Sequence, residues 1–221
     1  LSKSMKKIKV LSPATVSNLG SGFDVFAIAL KEPHDITEVE VTKSGNVEIE
    51  ASGYSVPKEP RKNCAGYVAL RMMEDFGIKD GLLINIKKGV PPSSGMGSST
   101  ASSSAIAYAI NKLFDLKLST NELIEYSALG EIISAGEAHA DNSSAAILGG
   151  FVTVVSREPL DVVRLNPPED MGVVIVWPSI EKGPTKLARE AVPRTVSIDN
   201  LKETVGHASI LSMGMALKNL D

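Results

Sequence analysis

Between Lys87 and Ile110 the chain reads KKGVPPSSGMGSSTASSSAIAYAI, small and hydroxylated residues running straight into an alanine-rich segment. Just before it, Leu82, Ile84 and Ile86 alternate with other residues, the period of a half-buried strand. Strand, loop and helix in that order leave little freedom for what the stretch can become. Gly95 and Gly97 let the backbone approach a ligand closely, and Ser98, Ser99 and Thr100 crowd hydroxyls where the helix must begin. A helix start carries unpaired N–H groups and partial positive charge, so it favours an anion, most often phosphate. The stretch predicts a phosphate cradle.

Three familiar loops are excluded. A Walker A loop needs Gly-Lys-Ser/Thr, which occurs nowhere in the chain, and a dinucleotide fingerprint needs Gly where Thr100 stands. A hydrolase elbow needs Gly in place of Ala101. The competing reading is an ordinary Gly/Ser loop that caps a core helix.

The rest of the chain frames this loop. Met5 to Ser12 and Phe23 to Leu30 read as strands, and Ile36 to Val41 with Asn46 to Glu50 as a β-ribbon turning at Lys43 to Asn46. Asn63 can cap a helix from Cys64 to Phe76, with Val68, Met72 and Phe76 on one face and Gly77 as its stop. Helix continues over 101–114 with Ala101, Ala105, Ala109 and Leu113 on one face. A further helix is predicted from Asn121 to Ser134, capped by Thr120, with Leu123, Ala128, Ile132 and Ala135 in the core. That puts Glu131 late in a helix, where the dipole disfavours a carboxylate, so it faces either solvent or a cation. Ala145 to Leu148 reads as a short helix and Phe151 to Val155 as a strand. Pro159, Pro167 and Pro168 mark the best domain boundary. Beyond it, Gly172 to Trp177 reads as a strand, Thr185 to Ala191 as a short helix, and Ile198 to Leu220 as a long helix capped near Ser197 or Asp199.

Three stretches in order resemble the GHMP kinases. PPSSGMGSSTA is similar to their phosphate loop P-x-x-x-G-L-G-S-S-A-A, with Met96 and Thr100 as mild departures. SPATVSNLGSGFDVFAIAL and GEAHADNSSAAILGGF resemble the homoserine kinase branch, with its P-A-T-x-x-N-L-G-x-G-F-D and H-x-D-N-x-x-x-A-x-x-G-G patterns. The resemblance implies an α/β (α+β) two-domain fold: a nucleotide-binding domain over 5–158 and a ferredoxin-like second domain over 159–221. A third Gly-rich motif and a second arginine are expected beyond Asp221, which would leave that second domain incomplete in this sequence.

It also implies ATP and Mg²⁺, with L-homoserine as the acceptor. Asn63, Lys88, Pro91, Gly95, Met96, Gly97, Ser98, Ser99 and Thr100 are then the nucleotide residues, and Ser99 with Glu131 the metal ligands. Asn18, Asp24, His139, Asn142, Thr185 and Arg189 surround the acceptor: Asp24 for an α-ammonium, Arg189 for an α-carboxylate, Asn142 for the hydroxyl. Asn142, Glu131, Ser99 and Arg189 carry the catalysis in this reading. From the residues alone, Asp24 and Asp141 also read as turn caps, Asn63 as a helix cap, His139 as a satisfied structural residue and Arg189 as a solvated one.

Composition narrows the partners. The net charge is −3, from 23 basic and 26 acidic residues, so no global field favours nucleic acid or an anionic membrane. A single cysteine, Cys64, suits a reducing cytoplasm, and three histidines without zinc-ligand spacing argue against a structural metal site. The basic start is followed by too few apolar residues for a signal peptide or a membrane span. A homodimer is left open. The rival readings are a kinase for another small alcohol, such as mevalonate, and a nucleotide-binding module without catalysis.

Overall fold

The computed structural model describes residues 6–177 and 191–219. A six-stranded mixed sheet is its frame. Strand β1 (Lys7–Ser17) runs antiparallel along β2 (Phe26–Thr42), and the remaining order is β3-β4-β2-β5-β6, with β3 Val47–Gly53, β4 Gly81–Lys88, β5 Phe151–Arg157 and β6 Leu160–Leu165. The mixed α+β architecture expected from the sequence is the one observed.

The two expected segments Phe23–Leu30 and Ile36–Val41 fall in one 17-residue strand, Phe26–Thr42, except that Phe23 to Val25 form a turn before it. Lys31 to Asp35 stay extended because β1 pairs along both halves, Ser12 opposite Asp35 and Thr15 opposite Ala29. The expected ribbon is absent: β3 pairs in parallel with β4, and β4 lies between β3 and β2. Helix α1 (Cys64–Asp75) is the crossover between these parallel strands, which a tight hairpin could not join.

Val39, Val47, Ile49, Leu82, Ile84 and Ile86 form the main core with Val68 and Met72 of α1 and Ile106, Ile110 and Leu113 of α2 (Ser98–Phe114). Each such side chain contributes roughly 1.5–3 kcal/mol on full burial. Phe76 is partly exposed and stacks on Tyr126 instead of completing the α1 core face. Helix α2 is buried nearly all round, since α1, α3 (Thr120–Leu129) and α5 (Ala140–Leu148) surround it as well as β1. Its buried hydroxyls are paired: Ser103 donates to the Ser99 carbonyl at 3.0 Å, and Ser104 meets Ser127 at 2.7 Å.

The helix expected over Asn121–Ser134 is two. Ser119, not Thr120, caps α3 through a capping box with Glu122; the helix ends at Leu129, and α4 (Glu131–Ala135) follows Gly130. A Cβ on Gly130 would collide with the Ser103 hydroxyl of α2, so the break packs where only glycine fits. Ile132 is partly exposed as a result.

β5 and β6 form an antiparallel hairpin within the same sheet, so the sheet continues past the boundary expected at Glu158, which would cut that hairpin at its turn. Gly172–Trp177 pairs with no strand among the described residues, and Val174 and Val176 are 90% and 87% exposed. The helix expected over Thr185–Ala191 lies outside the described residues but for Ala191. Helix α6 (Ile198–Leu217), capped by Ser197, rests Ala208, Leu211 and Met215 on Phe26, Phe151 and Leu19. No helix among the described residues is long and apolar enough to cross a membrane.

Candidate active site

One cavity of about 490 Å³ opens where the end of β4, the start of α2, α4 and the start of α5 converge. Its floor is the loop after β4. Gly95 and Gly97 both have left-handed backbone, φ 79° and 61°. Gly97 is the N-cap of α2 and offers no side chain to the first-turn N–H groups. Those donors start a 17-residue helix at the cavity wall, an arrangement suited to an anion. A Cβ on Gly97 would strike Thr15 Oγ1.

The loop is held from below by a residue that no sequence signal singled out. Asp35, from the middle of β2, is fully buried and forms an ion pair with Lys88. Its Oδ1 accepts Gly89 N–H and Val90 N–H at 3.0 Å each, and its Oδ2 accepts Ser102 Oγ–H at 2.9 Å. Lys88 Nζ donates further to the Ser98 carbonyl at 2.8 Å. Both ends of the loop thus close on one carboxylate. Burial pushes the Lys88 ammonium below its usual range, opposed by Asp35. Ser98 adds a staple, donating to the Val90 carbonyl at 2.8 Å.

Of the expected nucleotide residues, Asn63, Lys88, Gly95, Gly97, Ser98 and Ser99 line the cavity. Pro91, Met96 and Thr100 do not. Met96 packs with Ala14, Val90 and Ala101, the Pro91 carbonyl accepts Ser94 Oγ–H, and Thr100 is fully buried and donates to Glu131 at 2.8 Å. Asn63 is a helix cap as well as a wall residue: its Oδ1 accepts Ala65 N–H and Gly66 N–H, and its Nδ2 donates to the Pro57 carbonyl. Cys64 lines the cavity too, and burial pushes its thiol up to about 11, so it is no thiolate.

Glu131 opens α4 instead of closing a longer helix, and there the dipole favours a carboxylate. Thr100 holds Oε1, and His139 Nδ1 lies 3.1 Å from Oε2. His139 is 3% exposed. Both residues line the cavity with Ser99.

Asn142 and Asp141 sit in the first turn of α5, a helix that begins at Ala140, five residues before the expected start. Asn142 Oδ1 accepts Thr15 Oγ1–H at 2.7 Å, and its Nδ2 donates to Ser17 Oγ at 3.0 Å. Burial above all pushes the Asp141 carboxyl up, with Glu131 and Asp24 adding to it, against bonds from Asn142 N–H and Ser17. Asn18 lines the cavity and bonds Asp24 N–H through its side chain. Asp24 itself lies outside the lining and pairs with Arg157 at 3.2 Å. Thr185 and Arg189 lie outside the described residues.

A glycine-cornered helix start, a carboxylate and an asparagine thus line one cavity. Residues 63–150 match the family described as GHMP kinases N terminal domain. The chain is 47% identical over 219 residues to the homoserine kinase of Methanococcus maripaludis S2, covering 98% of this chain and 71% of that one. It is 43% identical to the homoserine kinase of Thermoplasma volcanium, covering 95% and 66%. Among solved structures, homoserine kinase from Cytophaga hutchinsonii superposes with a TM-score of 0.84 at 33% identity, covering 99% of this chain and 70% of that one. The chain belongs to the homoserine kinase family. Leishmania major mevalonate kinase shares the fold alone, at TM-score 0.59 and 18% identity over 74% of this chain and 54% of that one.

Proposed function

We propose that this protein transfers the γ-phosphoryl group of ATP to the side-chain hydroxyl of L-homoserine, giving ADP and O-phospho-L-homoserine on the way to threonine. One observation carries the reading: the phosphate loop and Asn142 adjoin, a Cβ on Gly97 coming within 3.4 Å of Asn142 Oδ1. Phosphoryl transfer needs positioning and charge neutralisation more than a strong base, and here a loop and an orienting amide share a wall.

In this reading the first-turn N–H groups of α2 hold the phosphates, with Gly95 and Gly97 admitting them closely. Asn142 orients the acceptor hydroxyl. Ser99 and Glu131 are the Mg²⁺ ligands; the donor set fits, since Mg²⁺ takes one or two protein oxygens and Glu131 keeps free lone pairs beyond its two bonds. Bound Mg²⁺ supplies charge neutralisation at the phosphates. Arg189 is the fork for the α-carboxylate and Thr185 its neighbour. For the α-ammonium two carboxylates compete: Asp24 is the one that the resemblance implies, and Asp141 the one that lines the cavity.

We take residues 6–165 as the nucleotide-binding unit, β6 included, and the segment after it as the start of a second domain. The compartment in this reading is the cytoplasm, and a homodimer is left open to sedimentation analysis.

A coupled ADP-release assay with L-homoserine, L-serine, mevalonate and galactose tests the reaction. A buried polar site rejects an analogue without the matching group by about 10⁴-fold, whereas one methylene changes discrimination by about 10 to 200-fold. Homoserine is expected first and serine second. Mevalonate outrunning serine would overturn the reading. Comparing Asp24→Asn with Asp141→Asn in the same assay identifies the ammonium partner by which of them loses homoserine turnover.

A further inference from the structure

An asparagine amide can meet an alcohol in two ways, as an acceptor through its oxygen or as a donor through its N–H. The surroundings of Asn142 select one. Ser17 Oγ receives N–H from Asn18 Nδ2 at 3.2 Å and from Asn142 Nδ2 at 3.0 Å, and the Ser17 hydroxyl also bonds the Asp141 carboxylate. With both lone pairs taken and its proton committed, Ser17 has no donor left for an amide oxygen. The nitrogen of Asn142 must face Ser17, and its oxygen faces Thr15, which donates at 2.7 Å.

Thr15 is fully buried in β1. Its backbone N–H bonds the Met96 carbonyl at 3.1 Å, and its hydroxyl fills the space beside Gly97 that a Cβ would need. One side chain therefore touches the phosphate loop and the residue assigned to the acceptor.

We propose that Thr15 is a positioning residue that locks the Asn142 amide with its carbonyl toward β1, so that the second N–H of Asn142 meets the acceptor hydroxyl as a donor to its oxygen. The inference rests on the role given to Asn142 above. A donor on one lone pair of the alcohol leaves the other free to point along the loop at the phosphoryl group, so a small rotation of the amide misaligns the attack.

The test is a double-mutant cycle of Thr15→Val and Asn142→Ala, with Thr15→Ser as the conservative variant. The measurements are kcat and KM for ATP and homoserine, together with melting temperatures. Thr15→Val keeps the shape and removes the hydroxyl. It is expected to lower kcat about 10 to 100-fold, the cost of misplaced reacting groups, with KM for ATP changed by less than about 3-fold. Thr15→Ser should restore most of the rate. In the Asn142→Ala background, Thr15→Val should cost less than about 3-fold, because residues acting through one another are not additive. Equal losses in both backgrounds, or a loss confined to KM for ATP, overturn the proposal. Should Thr15→Val fail to fold, Thr15→Ala carries the same comparison. If the unmutated protein does not phosphorylate homoserine, the functional reading fails on its own account. Thr15 is then judged by melting temperature, where additive effects of the two substitutions overturn the lock.

Discussion

At the end of the cavity assigned above to phosphate, most of the wall comes from one stretch of chain between Lys88 and Ser102, with Asp35 closing it from β2 and Thr15 bracing it from β1. At the acceptor end, Thr15 and Ser17 of β1 meet Asn142 of α5 across 127 and 125 positions of sequence. The first is preorganised mainly by local chain geometry and a buried carboxylate. The second exists only once the sheet and α5 are packed together, and its alignment depends on a chain of hydroxyls and amides. Damage to the first should therefore appear in nucleotide binding or stability, and damage to the second in turnover.

The sharpest way to break that contrast is at Gly97. Gly97→Val combines a left-handed backbone with a collision against Thr15, so titration calorimetry should detect no ATP binding, whereas Gly95→Ala, whose Cβ meets nothing within 4 Å, should keep it. Gly95→Ala bears only backbone strain of about 1–2 kcal/mol. Equal affinities for the two variants would remove the loop from the phosphate site.

Asp35→Asn comes next. It leaves Lys88 buried without its counter-ion, and losing one partner of a buried pair costs about 3–5 kcal/mol, readable by urea denaturation. Asp35→Leu with Lys88→Met should recover only part of the stability, and ATP affinity should stay low, because the donors from Gly89 and Val90 then have no acceptor. Recovery of both would mean that the clamp serves folding alone.

A smaller effect is expected at Glu131, between the two ends. Glu131→Gln keeps an acceptor for Thr100 but loses the charge, so kcat should fall about 100-fold, ATP affinity much less, with partial rescue by excess Mg²⁺. Normal turnover at limiting Mg²⁺ would withdraw Glu131 from the metal.

The smallest effect is a pH slope at Asp141. Its folded carboxyl is raised by burial, so between the unfolded value near 3.8 and the raised one the native state holds more protons. The stability that this group contributes is present below that window and lost as pH rises through it. Asp141→Asn should therefore be more stable than the unmutated protein at neutral pH, with the difference shrinking toward pH 4 in thermal melts. Parallel curves across the range would show that burial does not govern this carboxylate.

The same contrast explains what could be read in advance. The loop was legible because Gly95, Gly97 and three hydroxyls lie side by side, and Asn63 because a helix cap acts on neighbours two and three positions away. Asp35 was not: it lies in a polar stretch between two apertures of apolar sequence, and only pairing with β1 makes that stretch strand. Glu131 was read at the wrong end of a helix because the break at Gly130 comes from a close approach to Ser103, a tertiary constraint without a local signal. Thr15 stands among other small residues, and its partner is known only when α5 is in place. The parallel pairing of β3 escaped for a related reason, since a short link suggests a hairpin until α1 is seen to carry the crossover.

The length of β2 has a kinetic consequence. Val39 belongs to the main core, Ala27 to the cluster with Val152, and Phe26 with Ile28 to the one that Met215 of α6 completes. Most of β2 cannot open without loosening its pairing to β1, and its two halves are also zipped to β4 and β5. The amide hydrogens of its paired residues should exchange with solvent only through global unfolding, as one cooperative unit, while those of α6, attached along a single stripe, exchange through a local opening of much lower free energy. The strand that carries Asp35 to the loop is thus the part of the molecule that forgets its fold last.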